Sequence, residues 1–312
     1  MKLFSTVELF PQTLDIFRQN GIHVDVQAIR STWPKEPDLK QAFGKYDIIL
    51  VGISQKLVKE NLALIKKPTI LATQSVGTDH IDPSYFEHPL VRVVNIKAGN
   101  SVSVAEHIMA LILALKKQVL ETSFLVWDGK GHRFNLPNRP CELSGKTLGL
   151  IGSGTITREV IKLAMAFNLK LICHTRVSPE DLSLEKLGVR FVELDELLQT
   201  SDIVNILVPL TPHTRNMISK EKIKLMKPDA TFINAARTEV ADTHALIEHA
   251  DKHPTFTVGL DIDVEGDLIK LLKKPRHNVI VTPHTAGLSY ESVQRMQSEV
   301  VANIIPQLGF VK

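Results

Sequence analysis

The stretch KTLGLIGSGTITREV (146–160) decides how this sequence is to be read. Its first half is an apolar run of strand length, and a helical pattern starts in its second half. Gly152-Ser153-Gly154 joins the two. The first glycine permits a tight turn, and the second lets another group approach the backbone closely. The helix then presents its positive end at that point, an arrangement that receives the pyrophosphate of a dinucleotide. The third glycine of the usual pattern is Thr157. That position normally allows close helix–strand packing, so the helix is expected slightly further out.

Working outward, the same unit recurs. YDIILVG (46–52), TILATQSVG (69–77), LKLICHTR (169–176), DIVNILVPL (202–210), ATFINAAR (230–237), FTVGLDI (256–262) and NVIVTPH (278–284) each read as a strand, with helical periodicity between them. Several are nearly continuous apolar runs, as parallel strands covered on both faces require. The alternation predicts a doubly wound α/β architecture. Strands before residue 98 and after 146 read as separate sheets. Between them SVSVAEHIMALILALKKQVLETSFLVW (101–127) reads as one long helix, apolar nearly all round at its start and so buried between domains or subunits. An irregular polar stretch, 128–145, leads into the second sheet, and SYESVQRMQSEVVANIIPQL (289–308) reads as a last helix returning to the first domain.

A chain of 312 residues is too long for one ordinary core and implies two domains. Its 44% hydrophobic and 23% charged content is a globular balance that excludes disorder. Net charge is only +3 with scattered Lys and Arg, so no nucleic-acid partner is expected. MKLFSTVELF lacks the uninterrupted apolar stretch of a signal peptide, and VAEHIMALILAL (104–115) is short of the roughly 20 residues of a membrane span. No membrane partner and a cytoplasmic location are expected. Cys141 and Cys173 lack metal spacing, no metal is expected, and Cys173 reads as a buried thiol in a reducing compartment.

LICHTR (171–176) ends without the carboxylate that, about 20 residues past the glycines, accepts hydrogen bonds from the ribose of NAD. Thr175 and Arg176 stand there instead, a hydroxyl donor and a guanidinium able to clamp a 2′-phosphate. His174 offers a third donor. This points to NADP(H) as preferred cofactor, with NAD(H) admitted. The plain alternative is that Arg176 is a solvated strand end.

Arg237, Glu265 and His284 fall at or just after late strand ends, where open α/β sheets bind ligands. Hydride transfer to a 2-oxo acid needs such a trio. A cation holds the carboxylate and polarises the carbonyl, a proton donor quenches the alkoxide, and an acid keeps that donor protonated.

With these residues in place, the chain resembles the D-isomer-specific 2-hydroxyacid dehydrogenase family over essentially its whole length. The matching stretches are SVGTDHID (75–82), NSVSVAEH (100–107), GLIGSGTI (149–156), VPLTPHTRNMI (208–218), INAAR (233–237), GLDIDVE (259–265) and VTPHTAG (281–287). The resemblance implies two Rossmann-like domains with the active site in the cleft between them. A discontinuous substrate domain would comprise 1–98 and 288–312, and a coenzyme domain 99–287. It also implies a homodimer formed largely through the coenzyme domains, with the helix near 104 taking part. Trp127 and Phe134 lie in a segment able to reach across such a dimer, although core packing is the plainer expectation.

Carried over residue by residue, the resemblance makes Arg237 the substrate-carboxylate and carbonyl binder, His284 the proton donor and Glu265 its partner. Asp261 would contact the nicotinamide carboxamide, Thr155 and Ile156 the pyrophosphate, Pro209 and Thr214 the adenosine and nicotinamide-ribose side, and Ala235 the nicotinamide. Val104 and His284 also match cofactor-binding positions. The amides of Ser75, Val76 and Gly77 would grip the substrate carboxylate, with Gly52 and Ser54 as pocket wall. Several departures bear on this. The glutamate follows Asp261 one residue sooner than usual, leaving Asp263 and Asp267 as alternatives. Thr238 replaces a glycine after the arginine and is expected to crowd the loop. Thr157 and Thr175 depart as described.

The leading expectation is an NADPH-preferring reductase of glyoxylate, hydroxypyruvate or pyruvate, forming the D-isomer. Other small anions remain open: phosphite, formate, or the phosphoglycerate of a serine-pathway enzyme, though no cation is apparent in the pocket wall for a phosphate. A different class, the dinucleotide-sensing co-repressor scaffold, is disfavoured because all three catalytic residue types are kept.

Overall fold

Ile48, Ile49, Leu50 and Val51 are all fully buried, which an isolated strand achieves only when both faces of its sheet are covered. The computed structural model describes residues 1–27, 39–131, 139–176 and 182–311, so Phe134 lies outside the described residues. The chain divides into two compact units, residues 1–100 with 290–312 and residues 101–289.

In the first unit, β1 (Lys2–Ser5), β2 (His23–Val26), β3 (Ile48–Val51), β4 (Thr69–Thr73) and β5 (Val91–Val94) form a parallel sheet in the order β2-β1-β3-β4-β5. The order reverses between β1 and β3, the switch point at whose carboxyl end ligands bind in such sheets. The period of two sorts the side chains: Leu3, Ile48, Leu50, Ile70 and Ala72 pack into one core cluster, and Phe4, Ile49, Val51 and Leu71 into the other. Helix α1 (Pro11–Gln19) follows β1, with proline in its first turn, and a short α2 (Ser84–Glu87) precedes β5.

The second unit opens with α3 (Ser101–Lys116), which buries Val104, Ala105, Ile108, Met109, Leu111, Ile112 and Leu115 against α5 (Thr155–Ala166) and the sheet. The expected single long helix is two. Gln118 takes a left-handed backbone (φ 54°), ending α3 and starting α4 (Val119–Trp127) in a new direction. No residue of α4 is buried, and Trp127 is 74% exposed, so core packing fails for this residue. Strands β6 (Thr147–Ile151), β7 (Lys170–His174), β8 (Arg190–Phe191), β9 (Ile203–Ile206), β10 (Thr231–Asn234), β11 (Thr257–Asp261) and β12 (Val279–Thr282) form a parallel sheet. Its order, β12-β11-β10-β9-β6-β7-β8, reverses between β6 and β9, directly at the glycine loop. Helices α6 (Leu182–Glu185), α7 (Leu194–Thr200), α8 (Lys220–Ile223), α9 (Thr243–Lys252) and α10 (Asp267–Leu272) complete this unit. Cys173 is buried and Cys141 exposed.

Helix α11 (Tyr290–Ile304) belongs to the first unit, where Met296, Val300, Val301 and Ile304 join the cluster of Leu3 and Phe17. A 3-10 turn, Ile305–Phe310, replaces the expected last helical turn at Pro306, which has no N–H to continue it. Gln297, 1% exposed, fastens α11: its Oε1 accepts from Phe10 N (2.9 Å) and Thr13 Oγ1 (2.8 Å), and its Nε2 donates to Glu8 O (2.8 Å). Gln297→Ala leaves buried donors unpaired and is expected to destabilise by about 1–3 kcal/mol. Urea unfolding checks this; an unchanged midpoint would mean that α11 is held by its apolar face alone. Among the described residues no helix is long and apolar enough to cross a membrane, and no cluster of His, Cys, Asp or Glu could hold a metal.

Candidate active site

β6 delivers Gly152 at φ 104°, and a Cβ there would lie 2.6 Å from Leu207 O. Only glycine fits this turn. Gly154 is the N-cap residue of α5, and a Cβ built there meets nothing within 4 Å, so the backbone at the helix start is open to a large group. Thr155 is exposed and Ile156 half-buried in the first turn. Thr157 is fully buried, and its hydroxyl donates to Gly152 O (3.0 Å), bridging helix and loop. This tight turn, open N-cap and positive helix end fit a dinucleotide pyrophosphate.

Gly152 N donates to His174 O (2.8 Å), so the end of β7 sits beside the glycine loop. There Ser153 Oγ and Thr175 Oγ1 pair at 2.9 Å, with Arg176 exposed next to them. His174 is less free than expected. Its Nδ1 lies 3.1 Å from Val192 O, and a carbonyl can only accept, so that nitrogen carries a proton and is occupied. Thr214 is buried, its hydroxyl donating to Pro209 O (2.5 Å) and accepting from Thr211 N (2.8 Å), which shapes the loop after β9. Val104 is 4% exposed and packs within the core cluster of its unit.

Three strand ends carry the candidate catalytic residues. After β10, buried Asn234 accepts from Ala236 N (2.9 Å) and donates to Arg237 O (2.9 Å), fixing the turn that holds Ala235 and presents half-buried Arg237. At the end of β11, Asp261 is fully buried. Its Oδ1 accepts from Thr282 Oγ1 (2.6 Å) and Thr285 N (2.7 Å), and its Oδ2 from Ala286 N (2.8 Å). His107 of α3 reaches the same cluster, with Nε2 2.9 Å from Thr282 Oγ1. Asp261 thus clamps the chain on both sides of His284, whose backbone is left-handed (φ 54°). A non-glycine residue held this way costs about 1–3 kcal/mol and persists only where the surroundings impose it. Three donors on a buried carboxylate impose it here.

The acid beside His284 is Asp263, not Glu265. His284 Nδ1 donates to Asp263 Oδ2 at 2.9 Å. The reason is register. Asp261 lies opposite Thr282 in the β11–β12 pair, so two residues further along both chains bring Asp263 opposite His284. Glu265 is exposed in the turn before α10, at Gly266 (φ 58°), beyond the reach of that pairing. Asp267 has already entered α10 and is bonded to Lys270. Thr238 does not crowd its loop: its hydroxyl donates to Asp263 O (3.1 Å), tying the turn of Arg237 to the segment of Asp263. Asn234, His107 and Thr282 are site-building residues that the sequence reading missed, because only the tertiary structure brings them to the site.

In the first unit, the loop after β4 has its carbonyls tied back. Ser75 O accepts from Ile96 N (3.3 Å), Val76 O from Asn95 Nδ2 (3.0 Å) and Gly77 O from Ser75 Oγ (2.6 Å). Among the described residues, none accepts a hydrogen bond from the amides of Val76 and Gly77. Successive amides turned away from tied carbonyls make an anion-receiving turn. After β3, buried Gln55 accepts from Gly52 N (2.8 Å) and donates to exposed Ser54 Oγ (3.0 Å), shaping the neighbouring loop.

The family model of D-isomer specific 2-hydroxyacid dehydrogenase, NAD binding domain, matches residues 109–286. The chain is 32% identical over 278 residues to a hydroxypyruvate reductase of Thermotoga maritima, covering 88% of this chain and 89% of that protein. It is similar over 99% of its length to a structure of D-lactate dehydrogenase from Aquifex aeolicus complexed with NAD and lactic acid (TM-score 0.82, 31% identity, 95% of that chain). An acyclic imino acid reductase in complex with NADPH and D-Arg matches all of this chain and 98% of its own (TM-score 0.84, 26% identity). With the strand-end residues in the geometry described, these matches show that the chain belongs to the D-isomer-specific 2-hydroxyacid dehydrogenase family and is an NAD(P)-dependent oxidoreductase.

Proposed function

We propose that this protein reduces a small 2-oxo acid (glyoxylate, hydroxypyruvate or pyruvate) to the D-2-hydroxy acid and prefers NADPH. The observation that carries this reading is the His284–Asp263 pair, set on a left-handed backbone that the buried Asp261 imposes. With Nδ1 engaged by Asp263, Nε2 of His284 is the nitrogen that gives its proton to the substrate oxygen, and Asp263 holds the orientation of the ring. Arg237, braced by Asn234, polarises the carbonyl and binds the carboxylate. The amides of Val76 and Gly77, with Ser75, are donors suited to a carboxylate.

The bound cofactor supplies the hydride. Gly152, Gly154 and the start of α5 would hold its pyrophosphate, while Ala235, Pro209 and the loop stapled by Thr214 would line its nicotinamide half. Thr175 and Arg176 would take the 2′-phosphate, because both are donors where a carboxylate would repel it. The substrate range is supported by the hydroxypyruvate reductase and lactate dehydrogenase relatives and by the lack of charge on Gly52 and Ser54. A homodimer through the second unit is supported by α4, whose Val119, Phe124, Val126 and Trp127 are all more than half exposed. Sedimentation as a monomer at micromolar concentration would remove that part of the proposal.

The test is loss of absorbance at the nicotinamide band, with NADPH and NADH in parallel against glyoxylate, hydroxypyruvate and pyruvate. Turnover faster with NADPH is the expected outcome. Turnover faster with NADH would keep the reductase and make Arg176 a solvated strand end. No turnover with either cofactor would withdraw the substrate assignment.

A further inference from the structure

We propose that His80 and Thr73 are positioning residues that set the Ser75–Val76–Gly77 loop through a one-way chain of hydrogen bonds. The inference rests on the reading of that loop as the substrate-carboxylate grip. Three contacts build the chain: His80 Nε2 to Thr73 Oγ1 at 3.1 Å, Thr73 Oγ1 to Ser75 Oγ at 2.9 Å, and Ser75 Oγ to Gly77 O at 2.6 Å. Thr73 is fully buried, Ser75 is 7% exposed and His80 8%.

The direction of the chain follows from its last member. Gly77 O is a carbonyl and can only accept, so Ser75 donates its one hydroxyl proton to it. Ser75 then has no proton left for Thr73, and must accept from it. Thr73 has in turn used its own proton, and must accept from His80. The Nε2 of His80 therefore carries hydrogen, a tautomer set by a backbone carbonyl three bonds away.

The consequence is mechanical. Gly77 O is the carbonyl whose peptide plane sets the exit of the loop, and the chain ties it to a ring anchored elsewhere. His80 O accepts from Leu57 N at 2.8 Å, so the ring starts from a backbone already fastened beside β3. Ser75 O and Val76 O, tied by Ile96 and Asn95, already fix the two peptide planes that carry the amides of Val76 and Gly77, and the chain fixes the next plane, Gly77–Thr78, which holds the exit of the loop. Without it, Ser75 can rotate, and the Gly77–Thr78 peptide plane is free to swing, loosening the exit of the loop that the Val76 and Gly77 amides sit in. The cost falls on substrate binding, not on cofactor binding, because no member of the chain belongs to the dinucleotide unit.

The experiment compares wild type with Thr73→Val, His80→Leu and His80→Gln in the full-length protein. Thr73→Val keeps the side-chain shape and removes the middle link. His80→Gln keeps an N–H donor near the place of Nε2. Thr73→Val and His80→Leu should each raise KM for the 2-oxo acid about tenfold, the effect of one buried hydrogen bond, while the NADPH dissociation constant stays within about twofold. His80→Gln should recover most of the loss. The double variant Thr73→Val/His80→Leu should be no worse than Thr73→Val alone, since both cut one chain. Independently of turnover, 15N shifts of histidine-labelled protein should show the neutral His80 ring protonated on Nε2.

Unchanged KM in Thr73→Val, additive losses in the double variant, or a ring protonated on Nδ1 would each overturn the inference. Circular dichroism identifies any variant that fails to fold, and Thr73→Val still decides the matter if His80→Leu does. A wild type that turns over no 2-oxo acid would count against the substrate reading instead, and the 15N result would then decide the chain by itself.

Discussion

Replacing His284 by alanine is expected to lower kcat by about 10²–10⁴-fold, the contribution of a positioned general acid, while NADPH still binds. The informative comparison is between the carboxylates of Asp263 and Glu265. Asp263→Asn removes the charge-assisted contact to Nδ1 and should lower kcat about 10- to 100-fold, from an interaction of about 1.5–3 kcal/mol. Glu265→Gln changes an exposed side chain in a turn and should leave kcat within about twofold. Asp263→Asn added to His284→Ala should cost little more, because the acid acts through the ring it orients. Steady-state kinetics at saturating cofactor check all four proteins. A large loss in Glu265→Gln with Asp263→Asn near wild type would mean that the working register differs from the β11–β12 pairing seen here.

Arg176→Asp is expected to reduce the ratio of kcat/KM for NADPH over NADH by about 100-fold. About 1.5–3 kcal/mol of that comes from losing the charge-assisted contact, and repulsion between the new carboxylate and the 2′-phosphate adds to it. The structure sharpens the companion change. Thr175 shares its hydroxyl with Ser153, so Thr175→Asp places a carboxylate where a serine donor already waits. That variant should gain with NADH as it loses with NADPH. Parallel initial rates with both cofactors check this. Equal effects of Arg176→Asp on the two cofactors would return Arg176 to the status of a solvated strand end.

The parts of the fold legible in the sequence were those with strong local signals. β3, β4, β6 and β9–β11 are buried on both faces, and so announce themselves as unbroken apolar runs. β1, β2, β5 and β8 were not read. β2 and β8 are edge strands with half-exposed, mixed side chains, β5 is also an edge strand, and β1 starts at the second residue of the chain. The split of α3 from α4 was equally hidden. Its cause is a left-handed backbone at Gln118, a residue type with no preference for that conformation, where a glycine would have marked the break.

In the site, residue types and order were legible, and pairings were not. Arg237, His284, the glycine loop and the Thr175–Arg176 departure are local features, each readable from its place after an apolar run. The partner of His284 is a property of two strands in register, so spacing along one of them pointed to Glu265 while the sheet selected Asp263. The same holds for Asp261, expected as a cofactor contact and found holding the loop of His284, and for Thr238, expected to crowd a loop and found fastening it.

By itself, then, the sequence determined the doubly wound architecture, the dinucleotide loop and the polar side chains that follow the late strands. These follow from hydrophobic period, glycine geometry and functional-group chemistry, all of which act over a few neighbouring residues. Which carboxylate faces His284, and which hydroxyls brace the loops, only the tertiary structure decided. Those contacts join residues brought side by side by parallel strand pairing, and a one-residue shift of that pairing would turn every side chain in them to the opposite face.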